Sequence, residues 1–138
     1  MNNRQLLIAD LEKSFRKVFR MFRRELNDLF QDQITSMEFT YLKFIMEKKQ
    51  VMTSMLSQEF NVSTSHITAV TDRLVQRELV TRKRAEDDRR VINLCITEKG
   101  GTLVQMLEKR KHTYMKNKFQ NLSDEEIEKL LQLFSKIT

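Results

Sequence analysis

The side chains best suited to chemistry in this chain lie in the segment RKRAEDDRRVINL, from Arg82 to Leu94. Its charged residues are Arg82, Lys83, Arg84, Arg89 and Arg90, with Glu86, Asp87 and Asp88 between them. A guanidinium presents a rigid fork of N–H donors that matches phosphate and carboxylate oxygens. Because Asp88 lies two residues before Arg90, its carboxylate is expected to accept hydrogen bonds from that guanidinium and to hold it in one orientation. The alternative is a solvated loop whose charges only promote solubility.

Catalytic and metal-binding chemistry has few candidate residues. The chain contains two histidines, His66 and His112, and one cysteine, Cys95. No local spacing joins them into a nucleophile–base pair or a zinc ligand set. The two glycines are adjacent, at Gly100 and Gly101, so the chain has no glycine-rich phosphate loop. We therefore expect no enzyme, no metal site and no cofactor.

The composition favours one helical domain with an anionic partner. A length of 138 residues suits a single domain, and the absence of proline together with only two glycines is typical of helical proteins. The formal net charge of +6 fits nucleic acid or an acidic membrane surface. The first residues lack the uninterrupted apolar core of a signal peptide, and no apolar run approaches the ~20 residues that span a bilayer. We expect a cytoplasmic protein without an internal disulfide.

Apolar spacing predicts the elements that position the charged segment. Steps of three and four residues over 7–30 predict a long amphipathic helix with a basic opposite face. A second helix is expected to begin at Thr35 or Ser36, and a last one after Ser123, where Glu126 completes a capping box. Both terminal helices carry more apolar surface than one small core needs, which predicts dimerisation through the ends of the chain.

The segment from 53 to 70 fits a helix–turn–helix. Ser57 is the small residue where the two helices cross, and Asn61 lies at the turn, since asparagine tolerates the left-handed conformation. Ser63 is expected to cap the second helix, which runs to about Arg77. We expect its outward face to carry Thr64, Ser65, His66, Thr68, Ala69, Thr71, Asp72 and Arg73. Short polar side chains near a helix N-terminus suit base edges and phosphates in the major groove, although they are also typical of a solvated surface.

Two strand-like stretches, LVTRKR and RVINLCIT, lie on either side of the charged segment and predict a β-hairpin. A helix–turn–helix followed directly by a hairpin is a winged helix, and the charged segment then forms the tip of the wing. Cationic wing residues suit the minor groove, where the field of the phosphates is strong. The candidate DNA-binding residues are Ser63, Thr64, Ser65, His66, Thr68, Thr71, Arg73, Lys83, Arg84, Asp88, Arg89 and Arg90. Among them Ser65, His66 and Thr68 are the expected base readers.

With these features, residues 62–100 resemble the MarR family of bacterial winged helix-turn-helix transcriptional regulators. The match consists of the D-x-R pattern from Asp88 to Arg90 and of the segment ITEKG, which leads from the wing into the next helix and ends at Gly100. The resemblance implies a mainly α fold with a small hairpin and a homodimer formed by the terminal helices. It also implies binding to a pseudo-palindromic operator, with repression as the expected outcome, and a minor-groove role for Arg90. The whole chain would be one domain, with a winged helix over about 35–100 and dimerisation helices over about 1–34 and 101–138.

Three positions depart from the family pattern. Glu78 stands where the family usually has glycine, Ala85-Glu86 replaces the common wing proline, and Ile96 replaces leucine. We therefore expect an irregular turn after the recognition helix and a looser wing.

The resemblance also raises the question of an effector, because many members are released from DNA by phenolic compounds or by oxidation of a cysteine. A small-molecule pocket is expected, if present, between Phe15, Phe19 and Phe22 and the winged helix, although aromatics at helical spacing are more often core. The sensing cysteine of oxidation-responsive members lies in the first helix, which has none here, so a structural role is favoured for Cys95. The remaining alternative is a membrane-surface or partner-binding module built on the basic first helix.

Overall fold

The computed structural model describes residues 1–31 and 33–138. The elements are α1 (Asn3–Leu29), α2 (Ser36–Lys48), β1 (Gln50–Met52), α3 (Thr53–Glu59), α4 (Thr64–Gln76), β2 (Val80–Arg84), β3 (Ile92–Ile96), α5 (Glu98–Lys118) and α6 (Asp124–Ile137). The predicted mainly helical chain with a central hairpin is confirmed.

Side-chain caps define where the helices begin. Thr35 and Ser123 each form a capping box, with Glu38 and Glu126 respectively, so that two otherwise unpaired N–H groups are satisfied at each helix. Thr97 caps α5 by accepting a hydrogen bond from the Gly100 N–H group. The caps at Thr35 and Ser123 lie where the sequence predicts a helix start.

The sheet contains a strand that the sequence did not reveal. β2 and β3 form the predicted antiparallel hairpin, and β1 pairs with the other edge of β3, giving the order β1-β3-β2. β1 has only three residues, which is too short for an alternating pattern to be recognised. Val51 of β1 lies opposite Leu94 of β3, and both side chains are buried. Burial in the shared core therefore selects this pairing.

The core lies inside the winged helix. Its fully buried side chains include Leu42 and Ile45 of α2, Leu56 of α3, Ile67 of α4 and Leu94 of β3. Each side chain of this size contributes roughly 1.5–3 kcal/mol when it is buried. By contrast, α1 and α6 contain no buried residue. The helices and strands of the winged helix therefore share one buried core, whereas α1 and α6 keep apolar side chains exposed.

Two backbone features fix the junction between α4 and the wing. Glu78 adopts φ 63°, and the N–H groups of Glu78 and Leu79 bond back to the carbonyls of Val75 and Leu74. This is a Schellman ending, in which the left-handed position is usually glycine. The irregular turn expected at Glu78 is thus a left-handed helix end. Beyond the wing, Gly100 approaches the Leu79 carbonyl so closely that a Cβ atom there would lie 2.2 Å from the oxygen.

Candidate nucleic-acid interface

The N-terminus of α4 presents a hydroxyl-rich surface. Ser63 caps the helix by accepting the His66 N–H at 3.1 Å, and its oxygen also lies 3.2 Å from the Ser65 hydroxyl. Ser63, Thr64, Ser65 and Thr68 are all exposed. The Schellman turn at Asn61, with φ 51°, and the bond from the Ser57 hydroxyl to the Val62 carbonyl set the angle at which this surface emerges. The cap, the turn and the crossing residue of the helix–turn–helix are as predicted.

Thr71 does not belong to this surface, and its predicted outward position is wrong. The side chain is 0% exposed, and its hydroxyl donates to the Ile67 carbonyl at 2.8 Å. Thr71 lies one turn after Ile67, on the face of α4 that packs against the core. A buried threonine is tolerated there because the helix backbone satisfies its hydroxyl.

His66 is only partly available. Its Nε2 atom shares a 3.2 Å hydrogen bond with the hydroxyl of Tyr41, and the two rings pack edge to face. Tyr41 lies in α2 and is buried, and this burial raises the pKa of its hydroxyl. The half-buried His66 ring therefore joins the recognition helix to α2, in addition to facing the hydroxyl-rich surface.

Arg73 also contacts α2. Its Nε atom lies 3.8 Å from the Glu38 carboxylate, which is itself buried and accepts the Thr35 N–H through its other oxygen. The Arg73 side chain remains 54% exposed. An arginine in this position supports α4 and still offers N–H groups to an anion.

Arg82 has a role that the sequence did not indicate. Its guanidinium donates to the Thr71 hydroxyl at 3.3 Å and forms an ion pair with Asp72. The first residues of the wing are thereby joined to the middle of α4. Asp72 and Arg82 are ten residues apart, across a helix end and a turn, so no helical or strand spacing reveals the pair. Their opposite charges were the only available signal.

The wing tip has the predicted arrangement of Asp88 and Arg90. One oxygen of Asp88 accepts hydrogen bonds from the Arg90 backbone N–H at 3.0 Å and from its Nε atom at 3.4 Å. The Arg90 side chain is nevertheless 92% exposed. The loop is closed by bonds from Ala85 N–H to the Val91 carbonyl and from Val91 N–H to the Asp88 carbonyl, so backbone pairing orders a wing that lacks proline.

The other cations of the wing surround this pair. Lys83, Arg84 and Arg89 are exposed, and one guanidinium nitrogen of Arg84 lies 3.5 Å from the Arg89 carbonyl. Together with Arg90 they form a positive rim at the tip of the wing. Such a rim suits phosphate oxygens on either side of a groove.

The three phenylalanines of α1 pack on one another and on the C-terminal helices. Phe15 stacks on Phe19 and contacts Phe134 of α6, whereas Phe22 packs against Tyr114 and Phe119 at the end of α5. The Phe19 side chain stays 60% exposed. An effector pocket between these rings and the winged helix stays a prediction.

A hydrogen-bonded cluster joins the same helices. Glu25 of α1 accepts hydrogen bonds from the Tyr114 hydroxyl and from Lys118 of α5. These bonds lower the pKa of Glu25. Burial and the adjacent carboxylate raise the pKa of Tyr114 to about 12. The cluster fixes the C-terminal half of α1 against α5.

Other kinds of site lack support in the part of the chain that the structure describes. Across residues 1–31 and 33–138, no three His, Cys, Asp or Glu side chains converge as metal ligands would. None of the helices described there has the length and apolar character needed to cross a bilayer.

Comparison with known proteins agrees with this geometry. A model of the MarR family matches residues 34–92. The HTH-type transcriptional regulator YpoP of Bacillus subtilis (strain 168) is 37% identical over 137 residues, which cover 99% of this chain and 97% of that protein. The HTH-type transcriptional repressor MdtR of the same organism is 27% identical over 101 residues, or 72% of this chain and 65% of that protein.

Solved structures share the fold. A mutant MarR from E. coli complexed with operator DNA superimposes with a TM-score of 0.84 at 23% identity, over 94% of each chain. The transcriptional regulator BldR from Sulfolobus solfataricus gives a TM-score of 0.79 at 24% identity, over 99% of this chain and 97% of that one. At these identities the likeness establishes the winged-helix architecture.

Proposed function

Since the chain belongs to the MarR family of transcriptional regulators, we propose that it is a repressor that binds a pseudo-palindromic operator as a homodimer. The observation that carries this proposal is the Asp88–Arg90 pair at the wing tip, in a fold that also exposes the hydroxyls of α4. The pair holds a fully charged donor group in one orientation while leaving it in solvent. This arrangement has a use in DNA recognition and little value for stability, because exposed ion pairs contribute at most about 1 kcal/mol.

The α4 surface is suited to the major groove. Thr64, Ser65 and Thr68 supply short donors and acceptors for base edges. The helix start that Ser63 caps is suited to a phosphate, which accepts hydrogen bonds from backbone N–H groups. Because the Nε2 atom of His66 is hydrogen-bonded to Tyr41, the imidazole contacts a base edge only through the rest of the ring.

The wing is suited to the adjacent minor groove. Arg90 is the residue that we expect to enter it, because arginine is favoured where the groove is narrow and the potential is most negative. Lys83, Arg84, Arg89 and the exposed part of Arg73 supply phosphate contacts whose strength falls with salt.

The terminal helices are suited to self-association. Large apolar side chains that are exposed in a single chain include Leu7, Leu11 and Val18 on α1, and Leu131 and Ile137 on α6. Contiguous apolar surface of this kind is typical of a protein interface. A second copy that covers it, over about 1–34 and 101–138, would place two recognition helices about one helical turn apart on DNA, ~34 Å.

A selection experiment tests the proposal. Purified protein is incubated with a pool of random duplexes at two salt concentrations, and the retained DNA is sequenced. The expected result is an inverted repeat whose half-sites lie about ten base pairs apart. Retention without any enriched sequence, or enrichment of a single half-site by a monomer in sedimentation analysis, would contradict it. Repression is then tested with a reporter gene placed behind the selected operator.

A further inference from the structure

Helix α1 carries a charged surface that the winged helix does not use. This basic stripe consists of Lys13, Arg16, Lys17, Arg20, Arg23 and Arg24. All six side chains are exposed, and no carboxylate residue lies between the first and the last of them. At 3.6 residues per turn and 1.5 Å per residue, they occupy an arc of about 120° over about 16 Å of helix. The stripe is therefore a continuous linear array of positive charge.

The charges of the stripe are largely uncompensated. Within the described residues its one ion pair joins Arg16 to Glu12, at 3.3 Å and with both side chains more than half exposed. The acid that follows the stripe, Glu25, is instead engaged by Tyr114 and Lys118. The folding of the chain thus leaves these cations to solvent or to a partner.

The stripe also accounts for the whole net charge of the protein. Removing its six cations from the 25 Lys and Arg leaves 19, which equals the number of Asp and Glu. The remaining charges of the chain sum to zero, although the wing from Arg82 to Arg90 keeps five cations against three acids. Attraction of a polyanion at long range depends on net charge and its distribution, so the stripe contributes to it together with the wing.

The chemistry of α1 favours one class of polyanion. A membrane-bound amphipathic helix inserts its apolar face, but here Phe15 and Phe22 of that face pack on α6 and α5, and the rest of it is the surface proposed for self-association. Single-stranded nucleic acid is bound by aromatic platforms among the cations, whereas Phe15 and Phe22 lie on the opposite face of the helix and pack against α6 and α5. A linear row of arginine and lysine without an apolar or aromatic component matches the phosphate backbone of a duplex.

We propose that the basic stripe is a second DNA-binding surface, which holds the phosphate backbone of duplex DNA independently of the winged helix. This surface goes beyond the proposed operator recognition, because it adds affinity without regard to sequence. Protein bound at an operator would use it to hold a second segment of duplex.

The test compares two variants of equal net charge in the full-length protein. In the stripe variant, Lys13, Lys17, Arg20 and Arg24 are replaced by Gln. In the control variant, Lys109, Lys116, Lys129 and Lys136, all exposed on α5 and α6, are replaced by Gln. Affinity for a short duplex of arbitrary sequence is measured between about 50 and 200 mM salt. Each lost phosphate contact reduces the salt slope by about 0.9, so the stripe variant should lose up to about 3.6 per chain and the control less than about 1.

Several results would overturn the proposal. Equal slopes for the two variants would mean that only overall charge matters. An unchanged slope with weakened dimerisation of the stripe variant would assign the stripe to a second copy, and binding of the wild type to phosphatidylserine vesicles but not to the arbitrary duplex would assign it to a lipid surface. If the stripe variant does not fold, the single variants Lys17→Gln and Arg20→Gln are each expected to reduce the slope by about 0.9.

The outcome is separable from that of the proposed function. The stripe variant should lose affinity for the arbitrary duplex and keep the selective affinity of the winged helix for the operator, whereas Arg90→Ala should lose affinity mainly for the operator. A bridging assay, in which immobilised duplex captures a labelled second duplex, should succeed with the wild type and the control variant. Failure of bridging by the wild type would refute the second surface even if operator binding is intact.

Discussion

Replacing Gly100 by alanine tests the packing that positions the wing against α4. A Cβ atom at this position would lie 2.2 Å from the Leu79 carbonyl oxygen and 2.9 Å from Cγ1 of Ile96. The Ile96 side chain has room to adjust, but the Leu79 carbonyl is backbone and also accepts the Thr97 N–H at 3.1 Å. Relief of the contact therefore requires α5 to move away from the Leu79 carbonyl, because the distance of 2.2 Å is far below an ordinary van der Waals separation.

The magnitude follows from the contacts that such a movement disturbs. Overpacking costs about 1–3 kcal/mol, and a weakened Thr97 cap and Leu79–Thr97 bond add about 1 kcal/mol each. Alanine recovers up to about 1 kcal/mol through its higher helix propensity. We expect Gly100→Ala to lower the free energy of unfolding by about 2–4 kcal/mol, a large part of the 5–15 kcal/mol that is usual for a domain.

Gly101 provides a matched control, because a Cβ atom there meets nothing within 4 Å. Gly101→Ala should raise the free energy of unfolding by up to about 1 kcal/mol. Both variants are unfolded with urea at the same protein concentration, since dimerisation makes apparent stability depend on concentration. A Gly100→Ala protein as stable as the wild type, or equal losses in the two variants, would refute the argument from close approach.

Three further predictions concern the wing, the end of α4 and the interface of α1 with α5. Arg90→Ala should weaken operator binding, measured by fluorescence anisotropy, by about 1–3 kcal/mol, and Asp88→Asn should weaken it by less. Unchanged affinity for Arg90→Ala would show that the wing does not contribute to operator recognition. Glu78→Gly should raise the free energy of unfolding by about 0.5–1 kcal/mol in urea, because glycine adopts the left-handed φ of 63° without strain, and a loss would contradict that assignment. The raised pKa of Tyr114 stabilises the fold below its ordinary pKa of 10.0, and this stability is lost as pH rises towards about 12. The lowered pKa of Glu25 stabilises the fold above its ordinary pKa of 4.5, and this stability is lost as the pH falls below that value. Urea unfolding across pH should therefore show a smaller alkaline loss for Tyr114→Phe than for the wild type, and identical profiles would exclude the cluster as its cause.

Local chemistry in the sequence was sufficient for the frame of the winged helix. Ser63 caps α4 and Asn61 takes the left-handed turn because both preferences depend on a few neighbouring backbone atoms. The bond between Asp88 and Arg90 was predictable for the same reason, since the partners are two positions apart in the chain.

The functional surface was only partly predictable, because exposure depends on what packs against a helix. Thr71 was assigned to the outward face from its polarity, but its position one turn after Ile67 places it in the core. The sequence pattern predicts a base-reading role for His66, and its contact with Tyr41 comes from a helix 25 residues earlier. That contact has no fixed sequence spacing, whereas the burial of Thr71 follows the helical periodicity of α4.

The sequence by itself determined the helix starts, the helix–turn–helix and the charged wing tip, since each follows from short-range backbone geometry and apolar periodicity. Only the tertiary structure decided that β1 pairs with β3, that Arg82 joins the wing to α4 through Asp72, and that the aromatics of α1 pack on α5 and α6. These contacts join residues far apart in the chain, and their partners are chosen by burial and charge once the elements have met in space.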